Sequence, residues 1–490
     1  MNVELDQAGR FPFAVPLIVG CALFMQTLDS TVIAVALPAI AKSMHQDPIR
    51  LNLAITSYLL SLAVFIPISG WVADRFGARG VFRAAIITFT VGSILCALAS
   101  TLSQLVAARV VQGFGGAMMV PVGRLLVLKS VPKAALVDAM SYLTVPAVFG
   151  PVVGPPVGGF IVTYASWRWI FLMNVPIGIL GVALVTVYIS DIREEQVFPL
   201  DIQGFLLTSL GLAGLMFGIE TIGRGMLPAS VVMSAMATGG ICIGLYFVHS
   251  QRISNPIVDL KLMRIPTFAA ATISGSLGRM GIGALPFLLA MLLQLVFGLT
   301  PFGSGMITFA SAAGALMMKP TAAPIIRRWG FRTVLVGNGI ISSVLLMLYA
   351  LFRPSTPYVV IILTLLIGGF FRSLQFTSLG TLTYADVPPQ MMSGASTLAS
   401  MVQQLSLSLG VSIAAMLLHL SLRLRGAHVL TTRDFMAAFV VTGALSLISA
   451  VLFLRLSSDA GWELSGHEQT PVPGVDVAAE AATNAAAEAD

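Results

Sequence analysis

The chain has 490 residues, of which 57% are hydrophobic and only 10% are charged, whereas a soluble domain carries roughly 25% charged residues. This composition, with a mean hydropathy of +0.93, excludes a soluble globular fold and predicts an integral membrane protein. The net charge of +6 would suggest a nucleic-acid partner in a soluble protein, but here the basic residues lie mostly in short loops between apolar runs. We therefore expect contact with a lipid bilayer and no nucleic-acid partner.

Apolar runs of about 20 residues recur along the chain, and each is long enough to cross ~30 Å of hydrocarbon as a helix. About fourteen such runs are present, without the short alternating pattern of barrel strands. The sequence thus predicts an all-α integral membrane protein. The predicted spans are 12–37, 52–72, 82–100, 104–124, 137–163, 169–190, 203–220, 228–249, 267–297, 303–325, 333–352, 357–381, 394–420 and 434–456.

The basic residues between the spans are distributed unevenly over the two faces of the membrane. If the N-terminus is cytoplasmic, most of them lie on the inner face, which is the direction that the positive-inside bias requires. Arg423, Arg425 and Arg433 go against the bias because they lie on the outer face. An even number of spans puts both termini in the cytoplasm. We therefore expect a multi-pass protein of a bacterial-type cytoplasmic (inner) membrane.

Two similar hexapeptides indicate an internal duplication. "DRFGAR" at 74–79 and "RRWGFR" at 327–332 share Arg, an aromatic residue, Gly and Arg in register. Their separation is longer than six tightly connected spans require, so the pair at about 203–249 is predicted to be inserted between two six-span halves, as parallel repeats in transporters allow. The predicted units are an N-terminal six-helix bundle (1–200), an inserted helix pair (201–252), a C-terminal six-helix bundle (253–457) and an acidic, Ala-rich disordered cytoplasmic tail (458–490).

The first of these hexapeptides lies in "GWVADRFGARGVFR", residues 70–83, which joins the second span to the third. Its glycines permit a tight turn, and Asp74, Arg75 and Arg79 form a charge cluster that can hold the neighbouring half in one state and release it in another. A role in topology alone is the alternative. In the second copy Arg327 replaces the acid, so a second latch is in doubt. The basic residues of that copy are Arg327, Arg328 and Arg332.

The fifth span contains "GPVVGPPVGG" at 150–159. Gly150, Gly154 and Gly158 are four residues apart, so they form a stripe where another helix can approach closely. The prolines of the segment remove backbone donors and bend the helix. The pattern is typical of a helix that slides or pivots against a partner, although a static packing motif remains open.

The segment "FMQTLDSTVIAVALP", residues 24–38, places Asp29 inside a predicted span, where an isolated carboxylate is costly. Arg109 is its expected partner, because counting ~1.5 Å per residue puts both at a similar depth in the membrane. Gln112 shares a helix face with Arg109. If the pair faces a water-filled cavity between the two halves, protonation of Asp29 or binding of an anion to Arg109 would break it. The alternative is a purely structural ion pair.

Three further cations, Arg279, Lys319 and Arg372, interrupt predicted spans, and Asp29 is the only plainly buried carboxylate in the predicted map. A cavity lined by these cations would favour anionic cargo over lipophilic cations. The alternative is that their side chains snorkel or bond to backbone carbonyls. The predicted cargo-binding residues are Arg279, Lys319, Arg372, Gln112, Gln375 and Gln403.

Taken in order, "LDSTVIAVALP", "GWVADRFGARG", "RVVQGFGGAM" and "GPVVGPPVGG" resemble the signature motifs of the major facilitator superfamily, and specifically of its fourteen-spanning drug/proton antiporters. "SWRWIFLMNVPIG" and "NPIVDLKLMRIPTF" resemble connecting segments of that subfamily. The resemblance implies two six-helix bundles around a central cavity, with cargo leaving the cytoplasm as protons enter. It also implies an inner gate, a proton-coupling role for Arg109 and an antiporter motif. The gate residues are Gly70, Asp74, Arg75, Gly77 and Arg79, and the antiporter residues are Gly150, Pro151, Gly154, Pro155, Gly158 and Gly159.

The leading hypothesis is a proton-coupled exporter of small organic molecules, anionic or amphipathic, that works by alternating access as a monomer. An organic-acid (citrate-like) facilitator or a solute importer of the same fold is the first alternative, and a membrane sensor or scaffold is the second. An intramembrane enzyme would need paired acids, a His cluster or an activated Ser, and no such pattern or metal-ligand spacing is present in the sequence. We expect no metal and no cofactor beyond the proton.

Overall fold

The computed structural model describes residues 14–46, 48–132, 135–190, 199–221, 228–426, 429–458 and 460–462, and within these ranges every regular element is helical. The α-helices are α1 (Ala14–Met44), α2 (Pro48–Phe65), α3 (Ser69–Phe76), α4 (Ala78–Leu98), α5 (Leu102–Ser130), α6 (Leu136–Tyr164), α7 (Trp169–Leu172), α8 (Asn174–Tyr188), α9 (Ile202–Thr221), α10 (Ala229–Ser250), α11 (Pro266–Met291), α12 (Pro301–Met318), α13 (Ala322–Leu348), α14 (Tyr358–Leu382), α15 (Met392–Arg425) and α16 (Thr432–Leu452). Short 3-10 turns lie at Ile66–Ile68, Leu260–Arg264, Lys319–Thr321, Tyr349–Leu351, Pro389–Met391 and Phe453–Arg455, and a π-helical turn at Leu292–Val296.

Most of these helices are long and apolar enough to cross a membrane. Among the described residues, 12 stretches meet that description, and one of them, Phe302–Leu351, is 50 residues long. Gly330 interrupts this stretch with a φ of 73°, so it contains two crossings. The apolar helix α6 has 29 residues and is long enough for another crossing. The predicted all-α membrane fold is confirmed, and the helices are consistent with about fourteen crossings.

The two copies of the duplicated hexapeptide make the same kind of backbone turn. Gly77 between α3 and α4 has a φ of 83°, and Gly330 within α13 has a φ of 73°. Residues other than glycine rarely adopt this region, which explains why both copies carry glycine at this point. We call the end of the bundle that contains these turns the inner end, after its expected cytoplasmic side, and the opposite end the outer end.

Helices α1–α8 pack mainly on one another, as do α11–α16, and we call these groups the N-terminal and C-terminal halves. The halves meet along α6 and α12, and at the inner end where α3 and α5 contact α15. There the Ser396 hydroxyl donates to the Pro121 carbonyl at 2.7 Å, and the Ser69 and Thr397 hydroxyls lie 3.3 Å apart. The inner ends of the two halves are therefore in direct contact.

The predicted inserted pair corresponds to α9 and α10, which pack on each other. Helix α9 also contacts both halves, because Ser209 donates to the Val64 carbonyl of α2 at 2.6 Å and Ser412 of α15 donates to the Ile219 carbonyl of α9 at 2.7 Å. Helix α10 is mostly exposed on the outside of the bundle. At the inner end, His249 Nε2 of α10 lies 2.8 Å from Oδ1 of Asp201, the residue before α9, so this contact connects the two helices.

Most of the predicted disordered tail, residues 463–490, lies outside the described residues. The described start of that segment follows the protein surface. Gly461 is buried, and a Cβ added to it would lie 2.9 Å from a ring carbon of Phe331 at the start of the second crossing in α13. The described residues 460–462 are therefore packed against the C-terminal half.

Candidate functional site

Asp29 lies halfway along α1 and is only 3% exposed. Its carboxylate accepts hydrogen bonds from Arg109 Nη1 at 2.5 Å, from Gln112 Nε2 at 2.9 Å and from Asn174 Nδ2 at 3.0 Å. The structure thus brings Asp29 and Arg109 together, as their matching depth predicts. We call Asp29, Arg109, Gln112 and Asn174 the carboxylate cluster.

The Arg109 guanidinium is enclosed on all sides and is 0% exposed. Its Nε donates to the Ala54 carbonyl of α2 at 3.1 Å, and its Cζ lies 4.2 Å from the centroid of the Tyr58 ring, a cation–π distance. Nη1 also donates to Gln112 Oε1 at 2.5 Å. An arginine cannot readily lose its proton, so its burial depends on the carboxylate that neutralises it.

The residues of the carboxylate cluster all belong to the N-terminal half. They come from α1, α5 and α8, and Ser93 of α4 bonds both Gln112 and Asn174, at 2.8 and 3.2 Å. These contacts enclose the carboxylate, which explains its low exposure. Gln112, which is predicted to bind cargo, is part of the cluster. Sequence reasoning assigned no role to Asn174, although it is a polar residue within the "SWRWIFLMNVPIG" segment.

The glycine stripe of α6 packs directly on the part of α1 that carries Asp29. A Cβ added to Gly150 would lie 2.1 Å from Thr27 Oγ1, and one added to Gly154 would lie 2.1 Å from Thr31 Oγ1. Real Cβ contacts are not this short, so only glycine allows the observed approach. The two threonines lie on either side of Asp29 along the chain. The antiporter segment therefore contacts the helix turns on both sides of the buried carboxylate.

The other glycines of the predicted antiporter motif differ in how closely they approach a neighbouring helix. Gly158 continues the stripe, since an added Cβ would lie 2.8 Å from Val32 Cγ1, whereas a Cβ added to Gly159 would meet open space. The backbones of Pro151 and Pro155 are helical, and their side chains lie outside the described part of the structure.

At the predicted inner gate, α3 of the N-terminal half approaches the start of α15. A Cβ added to Gly70 would lie 2.7 Å from Thr397 Oγ1 and 2.9 Å from Ser393 Oγ. The glycine predicted for the gate therefore sits at a contact between the two halves.

The charged residues of the first gate motif lie around this contact. Asp74 is half-buried and Arg75 is exposed, while Arg79 donates to the Thr186 carbonyl of α8. Arg79 therefore ties α4 to α8 within the N-terminal half, and this hydrogen bond does not cross to the other half.

The second copy of the predicted gate motif forms an ion pair across the halves. Arg327 lies 3.8 Å from Asp138 of α6, with both side chains substantially exposed. Arg332 donates to the Leu454 carbonyl at 3.0 Å, and Arg328 is exposed. The substitution of an acid by Arg327 thus leaves a basic group that reaches an acid of the opposite half.

The structure gives the three predicted intramembrane cations separate partners. Lys319 donates to the hydroxyls of Thr144 in α6 and Thr377 in α14, so it bridges the two halves. Arg279 is 4% exposed and donates to the Ala271 carbonyl of its own helix at 3.4 Å, the backbone contact weighed as the alternative.

The third cation, Arg372, donates to the Ser311 hydroxyl within the C-terminal half. Gln375, one turn further along α14, bonds Asn338 of α13. Of the three predicted cations, Lys319 is therefore the one whose hydrogen bonds reach both halves within the described ranges.

Sequence reasoning assigned no site role to Arg124, the last residue of the predicted span 104–124. Arg124 lies inside α5 and donates to the Tyr384 hydroxyl and to Gln403 Oε1, both at 3.2 Å and both in the C-terminal half. It also lies close enough to Arg279 for the two charges to interact. The predicted residue Gln403 is thus held at the interface between the halves by a cation that was not predicted.

Asp29 is not the only buried carboxylate, contrary to the sequence-based map. Asp434 is 0% exposed at the outer end of α16, where it accepts from Arg425 Nε at 2.9 Å and from the Thr431 backbone amide at 2.7 Å. Its role as a helix cap explains its burial near a span end. Arg425, which goes against the charge bias, is neutralised by this contact.

Comparisons with known proteins agree with this architecture. The sequence model of the Major Facilitator Superfamily matches residues 19–411 and 271–485. The MdtD proteins of Salmonella heidelberg (strain SL476) and Salmonella typhimurium (strain LT2), which are named for multidrug resistance, are each 39% identical over 449 residues, covering 90% of this chain and 94% of the relative.

Two solved structures share the fold at low identity. The human organic anion transporter MFSD10 matches with a TM-score of 0.64 and 14% identity, over 90% of this chain and 99% of that one. The proton:xylose symporter XylE, bound to 6-bromo-6-deoxy-D-glucose, matches with a TM-score of 0.65 and 13% identity, over 92% and 97%. With the sequence match and the helical architecture described above, these comparisons lead to one assignment: the chain belongs to the major facilitator superfamily.

Proposed function

We propose that this transporter is a proton-coupled exporter of small organic molecules across the cytoplasmic membrane, working by alternating access. Its membership of the superfamily and its 39% identity to relatives named for multidrug resistance support export of this kind. The observation that carries the proposal is the buried Asp29–Arg109 pair, at 2.5 Å, on the helix that packs against the glycine stripe of α6.

Proton coupling follows from the energetics of that pair. Protonation of Asp29 removes the negative charge that stabilises buried Arg109, and the cluster then favours a different arrangement. Because Thr27 and Thr31 contact Gly150 and Gly154, a shift of α1 is transmitted to α6.

The same helix carries the shift to the other half. A Cβ added to Gly305 of α12 would lie 3.0 Å from Pro156 of α6, so the two helices are in close contact. Packed interfaces of this kind tend to have discrete arrangements and to move as rigid bodies, which is the basis of alternating access.

The cargo-binding region proposed here is the interface between the halves near Lys319 and Arg124. Both cations bond neutral groups of the opposite half, which a negatively charged cargo could replace. An amphipathic cargo would place its apolar part against the apolar residues of the surrounding helices. Arg279, whose charge interacts with that of Arg124, adds a further positive charge. These groups favour anionic or amphipathic cargo.

The same basic interface also suits an organic-acid importer of this fold, so the direction of the coupled proton discriminates between the two. In everted membrane vesicles without other energy sources, cargo added outside should make the lumen more alkaline if the protein is an antiporter. Co-transport of cargo and proton would instead acidify the lumen. A fluorescent pH probe inside the vesicles, read against organic acids and cationic dyes, measures both the direction and the cargo class.

A matched pair of variants tests the cargo assignment. Lys319→Gln should weaken the response to organic acids more than the response to cationic dyes, whereas Arg423→Gln, an exposed arginine at the end of α15, should change neither. Acidification by every active compound would reject export. An equal loss for both cargo classes in Lys319→Gln would reject the anionic preference alone.

A further inference from the structure

The Arg-x-x-Gln sequence of the carboxylate cluster occurs a second time in the chain. Arg109 and Gln112 lie on α5, and Arg372 and Gln375 lie on α14 with the same spacing. Each pair lies one helix turn apart on one face, and each pair is directed into its own half of the bundle. The C-terminal half therefore repeats the basic part of the site that holds Asp29.

The partners of the two pairs come from corresponding helices. Gln112 bonds Ser93 of α4, the helix that precedes α5, and Gln375 bonds Asn338 of α13, the helix that precedes α14, both at 2.8 Å. Likewise, Arg109 contacts α2 through Ala54, and Arg372 contacts α12 through Ser311. Helices α2 and α12 are each the second crossing of their half, so the correspondence extends over three helices.

The correspondence ends at the first helix of each half. In the N-terminal half α1 supplies Asp29, whereas in the C-terminal half α11 presents Gly281 and Ile282 to the side of Arg372. A small cavity of about 10 Å³ remains there, lined also by Ser342 and Ser446, and a space of this size holds about one water-sized particle. Among the described residues, no ion pair joins Arg372 to a carboxylate.

A guanidinium inside the bundle needs a counter-charge, because the cost of burying an ion is several kcal/mol and arginine does not readily release its proton. Ser342, Ser446 and Tyr349 line this space together with Arg372, and each carries a hydroxyl group that can donate a hydrogen bond to an anion. We propose that this cavity binds a small monovalent anion of the size of chloride, which supplies the charge that Asp29 supplies in the N-terminal half. The site is separate from the cargo region at the interface and does not depend on the direction of transport.

Thermal unfolding of the purified full-length protein in detergent tests this site. Sodium chloride, sodium formate and sodium gluconate are titrated at constant ionic strength, so that general screening stays the same. Chloride should raise the unfolding temperature saturably and gluconate, which is too large for the cavity, should not. Equal effects of chloride and gluconate would overturn the proposal, and stabilisation by formate without chloride would overturn the assignment to a halide-sized ion in favour of a carboxylate.

Two variants locate the effect. Arg372→Gln should abolish the chloride response, and the exposed Arg423→Gln should retain it. Gly281→Asp combined with Ser446→Ala builds a carboxylate into the cavity, with the second change removing the hydroxyl that would lie 2.0 Å from the new Cβ. This double variant keeps Arg372, so it remains informative if Arg372→Gln fails to fold, and it should be stable without chloride. A chloride response that persists in the double variant would contradict the site.

Discussion

Replacement of Asp29 by Asn tests the central element of the proposed coupling mechanism. The change keeps the shape of the side chain and leaves one oxygen that can still accept from Gln112 and Asn174. The amide nitrogen, however, would face Arg109 Nη1, now 2.5 Å from the carboxylate oxygen, so a donor would point at a donor. The variant therefore leaves a buried guanidinium without its counter-charge.

The size of the effect follows from the burial of both groups, whose side chains are 0% and 1% exposed. Removal of one partner from a buried ion pair costs about 3–5 kcal/mol, or a factor of about 10² to 10⁴ in the folding equilibrium at ~1.4 kcal/mol per decade. The double variant Asp29→Asn/Arg109→Gln removes the unpaired charge as well. It should recover much of the lost stability without recovering any proton coupling.

The assay combines thermal unfolding in detergent with proton movement in everted vesicles, using a cargo to which the wild-type protein responds. Asp29→Asn should unfold at a lower temperature, and both variants should lack cargo-driven proton movement at equal amounts of inserted protein. Cargo-driven proton movement of wild-type size in the stable double variant would refute the role of Asp29. A double variant no more stable than Asp29→Asn would refute the charge-balance argument.

Three further changes probe the helix contacts. Gly154→Ala should slow transport and destabilise the protein by about 1–3 kcal/mol through overpacking. Adding Thr31→Ala to the same chain should reverse part of both effects. If Gly154→Ala changes neither transport nor the unfolding temperature, the close contact between α1 and α6 is not part of the mechanism. Gly70→Ala should separate the inner ends of the two halves. In a Ser396→Cys background, the new cysteine should then react faster with an impermeant maleimide in everted vesicles. Unchanged labelling would mean that this contact is not a gate. Arg327→Gln should change stability by at most about 1 kcal/mol because the ion pair is exposed, and a larger fall in the unfolding temperature would show that the second latch is structural.

Much of the fold and part of the site could be predicted from the sequence. The hydrophobic runs give the crossings because a helix is the way for a single apolar segment to satisfy its backbone in lipid. The two hexapeptides correctly located the repeated turns at Gly77 and Gly330. The pairing of Asp29 with Arg109 was accessible because a buried charge requires a partner and helix geometry fixes depth.

What the sequence did not provide was the direction in which each side chain points around its helix. Depth along a helix follows from residue counting, but rotation depends on packing against neighbours. In lipid the spacing of apolar residues says little about rotation, because the face toward the lipid and the face toward the bundle are both apolar. The contacts of Gln112 within the carboxylate cluster were therefore not predicted, and Asn174 and Arg124 were overlooked. Asp434 was missed for a different reason, since burial by helix capping depends on the local turn and not on the apolar run.

The position of α9 bears on how the two halves can tilt without letting phospholipid tails enter between them. Helix α9 is hydrogen-bonded to the N-terminal half through Val64 and to the C-terminal half through Ser412, so it contacts both halves. The proposed rocking motion must break or shift at least one of these two contacts. The contact that persists decides which half α9 and α10 move with. Helix α9 therefore covers the boundary between α2 and α15 on its side of the bundle.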